Sequence, residues 1–437
     1  MKRLTLAGFL TLLVLTPAFA NGVPSTVTLE RNGAQYRLLR NGTPYLIKGA
    51  VGANRLDLLK ASGGNSIRAG VNNLDAAESQ GLTVLVGLSI GNPRHGFDYS
   101  NPEKVRQQFE KARDAVRKYK DHPALLMWAL GNEMEINTTP AERVPVWKSV
   151  NDIARMIHEE DGRHPVITVM GDAYRRILAE VKEQCPNIDA MGLNAYADML
   201  TMPEDIARVG WTKPYVVSEF GPRGHWQVAK TAWGVPLEDS STEKAAFYLK
   251  AYRHSVVDQP LCLGSYVFYW SQKQEKTHTW YGMFLPDGSR TEAIDTMQLA
   301  WTGAYPTNRC PRIGPENIEM ISEMSLARKP NIYLTGAHLR CAVHATDPEN
   351  DPLTLQWDLR PDVADNPKVG GDWEPNADPI ADSIVAAKDN TVVVRLPGAP
   401  GKYRLFVYAR DNHGGAATAN LPLLVVEKSP EKAQPEP

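Results

Sequence analysis

After its first twenty positions the sequence has no apolar run long enough for a helical membrane span, so insertion into a membrane is not expected. It has no Cys-x-x-Cys pair and no Cys/His spacing of the kind that holds zinc, and neither a metal nor a cofactor is expected. An excess of either charge is also missing. Setting aside Lys2 and Arg3, 46 basic residues face 50 acidic ones, a net charge of −4 that argues against nucleic acid or an anionic membrane as partner. Cysteine is scarce, with only Cys185, Cys262, Cys310 and Cys341. In an exported protein these allow three pairings. Cys310–Cys341 is favoured, because Cys310 sits in a Pro-rich stretch that would gain from being tied down; Cys185 and Cys262 read equally well as buried thiols.

What is present begins with an export signal over residues 1–20. Lys2 and Arg3 give a basic start, Leu4 to Leu15 an apolar stretch too short for an anchor, and Ala18-Phe19-Ala20 a small-x-small cleavage site. The expected location is therefore the periplasm or the exterior. A short β leader spans 21–44, with a hairpin turning at Asn32-Gly33 that would cover the base of the adjoining domain. Between 45 and 303, eight nearly continuous apolar runs (45–51, 65–69, 82–88, 124–130, 165–170, 188–194, 214–218 and 264–270) alternate with amphipathic helical patterns. One helix is expected to start on a capping box of Ser100 and Glu103, and another carries Val146, Val150, Ile153, Ala154 and Ile157. Eight such units in roughly 250 residues predict an α/β fold, a (β/α)8 TIM barrel, with a doubly wound open sheet as the alternative. Residues 304–317, including PTNRCPRIGPEN, read as a linker. Residues 318–428 show only strand-like runs and turn clusters, an all-β sandwich resembling an immunoglobulin- or cadherin-like domain, and 429–437 a disordered tail.

In a barrel of this kind the chemistry gathers where strands end at the C-terminal face. The fourth run ends in Gly131-Asn132-Glu133 and the seventh in Ser218-Glu219-Phe220-Gly221. A closed barrel brings both carboxyls to one mouth. Two facing carboxyls at about 5–5.5 Å suit double displacement: one attacks the anomeric carbon while the other protonates the leaving oxygen and then activates water. Either residue alone could be a turn former or a helix cap.

From Asn41 to Trp301 the sequence resembles glycoside hydrolase clan A, and within it the barrel domain of glycoside hydrolase family 2, including an entry stretch Asn41-Gly42-Thr43-Pro44 through Lys48-Gly49. The resemblance implies a retaining β-glycosidase with Glu133 as acid/base and Glu219 as nucleophile. It implies that Asn132 meets the sugar 2-hydroxyl and that Arg68 lies beside the nucleophile, where its charge would keep Glu219 ionised. Tyr196, in Gly192-Leu193-Asn194-Ala195-Tyr196, would touch the nucleophile, and Trp270 would floor the sugar subsite. Family 2 members usually carry β-sandwich domains before the barrel, and this sequence has about two dozen residues between signal and barrel. No sugar specificity is carried over from them.

Loop residues that could line a glycan cleft are His95, Phe97 and Tyr99; His225, Trp226 and Trp233; and Gln272, Lys273, Trp280 and Tyr281, since aromatic faces stack on sugar rings. Of these, His95, Trp226 and Trp280 are expected to bind substrate together with Asn194. Glu135 is expected to cap or face solvent. The expected partner is an oligo- or polysaccharide, a β-glucan by preference. A transglycosylase using the same pair and a non-catalytic glycan-binding envelope protein are the alternatives. Gly87-Leu88-Ser89-Ile90-Gly91 fits a serine-hydrolase elbow, but loop chemistry comes after it where a helix is required. In the second domain, the acidic turns at Asp347–Asp351 and Asp411 read as Asx turns, or as a calcium site.

Overall fold

The structure is a computed structural model and describes residues 23–171, 174–320, 331–363, 371 and 374–427. The expected export signal and the expected tail lie outside the described residues. Among those described, no helix is long and apolar enough to cross a membrane.

A leader hairpin pairs β1 (Val27–Asn32) with β2 (Gln35–Arg40), and β2 with β3 (Thr43–Pro44). Asn32 pairs with Gln35, so the turn falls on Gly33 and Ala34, one position later than expected; Gly33 takes φ +62°, where a Cβ would be strained. Eight parallel strands come next: β4 (Ile47–Val51), β5 (Ser66–Ala69), β6 (Thr83–Leu88), β7 (Leu125–Leu130), β8 (Val166–Met170), β9 (Ala190–Ala195), β10 (Tyr215–Phe220) and β11 (Cys262–Val267). They close into a barrel, β11 pairing back onto β4. Each expected apolar run overlaps one of them. The runs are continuous because both faces are covered: β7, β8, β9 and β11 are buried at every position.

Alternate positions fill the barrel interior with Ile47, Leu85, Met127, Ile167, Val216 and Tyr266. Val27 and Leu38 of the leader join this cluster, and Val27 N and Tyr36 N donate to Arg163 O and Pro260 O, just ahead of β8 and β11. The leader therefore plugs the N-terminal face and leaves the opposite face open. The helix Pro102–Tyr119 is capped by Asn101, whose Oδ1 accepts from Glu103 N and Lys104 N at 3.1 Å each. Ser100, the expected cap, bonds to Asp98 instead. Pro102 at the first helical position makes its extended predecessor the capping residue. The helix Pro140–Glu160 buries Val146, Val150, Ile153, Ala154 and Ile157.

Beyond the barrel, two sheets, one antiparallel and one mixed, pack as a sandwich. One contains β13 (Arg312–Met320), β15 (His338–Thr346), β18 (Thr391–Arg395) and β17 (Ile384–Lys388); β13 begins inside the stretch read as a linker. The other contains β16 (Thr354–Pro361), β19 (Gly401–Arg410) and β20 (Gly415–Val426), with β14 (Ile332–Leu334) on β20. Its remaining strand, β12 (Arg290–Thr291), comes from the barrel's last connection and pairs with Gly415 and Ala416, so barrel and sandwich share a sheet. Leu339, Cys341, Val392 and Val394 meet Leu405, Val407, Ala419 and Leu423 in the core.

The expected Cys310–Cys341 bond is not formed; all four cysteines are free and buried. Cys310 Sγ donates to Arg290 O beneath the shared sheet, whereas Cys341 Sγ lies 3.3 Å from Met320 Sδ inside the sandwich. The linker is tied down by other means, Cys310 N donating to Asp295 at 2.5 Å. In the acidic turns Asp347 Oδ1 accepts from Glu349 N and Asp351 N, and Asp411 Oδ1 from His413 N and Gly415 N, the pattern of Asx turns, while Asp411 Oδ2 accepts from Asn308 Nδ2 at 2.9 Å.

Candidate active site

A cleft of about 970 Å³ opens at the C-terminal ends of the barrel strands. Glu133, just past β7, and Glu219, the penultimate residue of β10, both line it. β7 ends in a break that aims Glu133 inward. Gly131 takes φ +70° and Glu133 itself φ +51°, a left-handed conformation that costs a residue with a Cβ on the order of 1 kcal/mol. The break is held by Glu133 N donating to Val169 O at 2.9 Å. The Glu133 carboxyl packs on Gly171 so closely that a Cβ there would lie 3.2 Å from its Cγ, Cδ and Oε1.

A polar network joins the two carboxyls. Asn194 Nδ2 donates to Glu133 Oε1 at 2.9 Å and to Asn132 Oδ1 at 3.1 Å. Arg68, at the end of β5, donates to Asn132 Oδ1 and to Glu219 Oε1, both at 2.7 Å. Tyr196 OH lies 3.4 Å from Glu219 Oε2. Arg68 therefore stands where the resemblance implies, but its charge does not decide the ionisation. Burial raises the Glu219 carboxyl to about 7, with Glu133 adding to the rise, while Arg68 pulls it down by charge and hydrogen bond.

The expected binding residues divide. His95 and Trp226 line the cleft, and Trp226 is 44% exposed there, edge-on to Tyr196. Trp270 does not floor the site. It is fully buried between Phe284 and Trp301, and its Nε1 donates to Arg55 O. β11 ends at Val267, so the first aromatic past the strand is Phe268, and Phe268 lines the cleft in its place. The expected strand ran three residues too far, which hid this. Trp280 is likewise buried, packed with Tyr196 and Tyr281 and donating to Arg223 O at 3.0 Å.

Glu135 corrects the reading in the other direction. It neither caps nor faces solvent: it is 3% exposed, lines the cleft, and accepts from Gly171 N at 2.7 Å. Burial raises its carboxyl to about 7, and the Glu133 charge contributes. No local pattern marks it, since its burial depends on β8 lying alongside. Ser89 is followed only by the three-residue turn Pro93–His95, and the next helix starts at Pro102, so the serine-hydrolase geometry is absent.

Residues 68–230 match the family model described as glycosyl hydrolases family 2, TIM barrel domain. A β-glucuronidase of Paenibacillus borealis is 26% identical over 162 residues, 30% of this chain and 26% of that protein. Among solved structures, a β-glucuronidase of Bacteroides uniformis has a TM-score of 0.47 at 14% identity, over 92% of this chain and 48% of that one. A β-D-glucuronidase of Dictyoglomus thermophilum has a TM-score of 0.49 at 17% identity, over 64% of this chain and 54% of that one. The chain thus spans about a quarter of its curated relative's length and about half that of these structures. The matched stretch lies within the closed barrel of eight parallel strands, and over residues 68–230 the chain is similar to the TIM barrel domain of glycosyl hydrolases family 2.

Proposed function

We propose that the chain is an exported retaining β-glycosidase acting on a neutral β-linked glycan, a β-glucan by preference. The observation that carries this reading is the cleft in which Glu133 and Glu219 are tied through Asn194, Asn132 and Arg68. Glu219, as carboxylate, attacks the anomeric carbon; the glycosidic C–O bond breaks as Glu133 gives its proton to the leaving oxygen. Glu133 then takes a proton from water, whose oxygen attacks the same carbon and releases Glu219. Asn132 has its Oδ1 occupied by Arg68 and Asn194, so its amide nitrogen is the group that meets the 2-hydroxyl.

The charges in the cleft favour a neutral sugar over the glucuronides that the relatives' names indicate. Arg143 is bound to both oxygens of Glu180 at 2.8 and 2.7 Å, Lys273 lies 3.2 Å from Glu275, and the cleft lining sets the carboxyl groups of Glu133, Glu135, Glu180, Glu219 and Glu275 against Arg94, Arg143 and Lys273. A 2-deoxy-2-fluoro glycosyl fluoride of the cleaved sugar should label Glu219 covalently. Glu133→Gln should lose about 10²–10⁴-fold in rate on a poor leaving group. Screening β-1,2-, β-1,3-, β-1,4- and β-1,6-glucans, mannan, galactan and p-nitrophenyl β-glucuronide, with product chromatography, names the sugar; products longer than the substrate would identify a transglycosylase. No turnover and no label across the panel would overturn the reading.

A further inference from the structure

The connection after β11 forms one end of the cleft, and the sandwich holds it there. Glu238, from the connection after β10, is buried with both oxygens engaged. Its Oε1 accepts from Lys244 Nζ at 2.5 Å and Thr279 Oγ1 at 2.8 Å; its Oε2 accepts from Thr277 Oγ1 at 2.7 Å and from Asn420 Nδ2, on β20, at 2.8 Å. Arg404, on β19, is 1% exposed and stands 3.9 Å from the same oxygen. It donates to Asn420 Oδ1 at 2.6 Å and, across the interface, to Pro236 O at 3.0 Å. Further along, Glu374 accepts from Lys276 N at 2.7 Å, and His278 Nε2 lies 2.7 Å from Tyr408 OH. Residues 276–279 are therefore each fixed by a group outside their own loop.

Of the preceding residues, Lys273 and Glu275 line the cleft. Lys273 Nζ lies 5.8 Å over the Phe268 ring and 3.2 Å from Glu275 Oε2. Phe268 N in turn donates to Phe220 O, next to the nucleophile, at 2.7 Å. Gly371 of the sandwich lines the cleft with them. A partly exposed ammonium with donors to spare beside a carboxylate is a donor–acceptor pair suited to adjacent sugar hydroxyls. A buried charge network of this kind is either wholly satisfied or costly, so it fixes one conformation of the loop it holds.

We propose that the sandwich is a working part of the glycan site: Arg404 and Asn420, acting through Glu238, position Lys273 and Glu275 to bind sugar hydroxyls on the nucleophile's side of the cleft. This rests on the reading of the cleft as a glycosidase site. The test uses the full chain with Arg404→Ala, Asn420→Ala, Lys273→Ala and the Arg404→Ala/Lys273→Ala double variant. Two quantities are read: amide hydrogen exchange over 272–279 against 125–130 and 215–220, and kcat and KM on the linear β-gluco-oligosaccharide that the wild type cleaves fastest. For Arg404→Ala we expect faster exchange confined to 272–279, KM raised about tenfold and kcat lowered less than about threefold, with the double variant no worse than Lys273→Ala alone. A lower melting temperature with KM or loop exchange unchanged would overturn the proposal, leaving the sandwich a stabiliser only. If Arg404→Ala does not fold, Asn420→Ala, which removes a milder contact, carries the same readouts. A wild type that cleaves none of the oligosaccharides overturns the glycosidase reading, while exchange over 272–279 still decides the positioning.

Discussion

Glu219 is pulled in opposite directions by its surroundings. Burial lifts its carboxyl to about 7, while Arg68 at 2.7 Å acts to lower it. As the nucleophile of the proposed mechanism Glu219 must be deprotonated, so its reactivity is low below that value and rises with pH through it. The rate of covalent labelling of Glu219 should therefore climb through about pH 7 and level off above; a plateau already reached near pH 5 would contradict this. Arg68→Met removes the influence that lowers the carboxyl, so the same limb should move to higher pH. Gly171 supports the other carboxyl. Gly171→Ala would press a methyl against Glu133, and a displacement of even part of an ångström should lower kcat about 10- to 100-fold with little change in melting temperature.

At the scale of one element, the end of β11 separates packing from binding. Val267 closes the strand, Phe268 turns into the cleft, and Trp270 folds back over β4, its N donating to Val51 O at 3.1 Å. Trp270→Ala should therefore act as a core truncation, costing about 3–5 kcal/mol in chemical denaturation. Phe268→Ala should leave the denaturation midpoint nearly unchanged and raise KM severalfold by removing a face for the sugar. The reverse pattern in the two variants would restore Trp270 as the sugar floor. Which residue plays which part depends on where the strand stops, and both are aromatic, so hydrophobicity alone does not distinguish them.

For the whole molecule, the barrel and sandwich are joined by the shared β12–β20 pairing and by the Glu238 hub. Burial alone would raise Glu238, but Lys244, Arg404 and the hydroxyl donors outweigh it and hold the carboxyl below the usual range. A carboxyl lowered on folding stabilises the fold above its unfolded value, about 4.3, and that contribution is lost as pH falls through the lowered native value. Glu238→Ala should cost about 3 kcal/mol near pH 7, because Lys244 would be left buried without a carboxylate, while Arg404 keeps Asp362 at 3.0 Å. Calorimetry should show the gap between variant and wild type narrowing as the pH drops below about 4. A gap independent of pH would mean that Glu238 acts by packing and not by charge.

The barrel was legible in the order of residues, because strands buried on both faces must be apolar along their whole length and eight such runs at βα spacing admit few other folds. So was the meeting of Glu133 and Glu219 at one mouth, since strand ends in a closed barrel converge whatever the side chains around them. Which neighbours matter was settled by the folded chain. Glu135 reaches the cleft because β8 lies beside it, Trp270 leaves it because helix Glu292–Thr302 offers Trp301 as a packing partner, and Lys273 faces it in a loop held from a domain more than a hundred residues further on. These are contacts between segments distant in the chain, so no local spacing records them. The disulfide failed as an expectation for the same reason: Cys310 and Cys341 are near in sequence, but one faces the shared sheet and the other the sandwich interior.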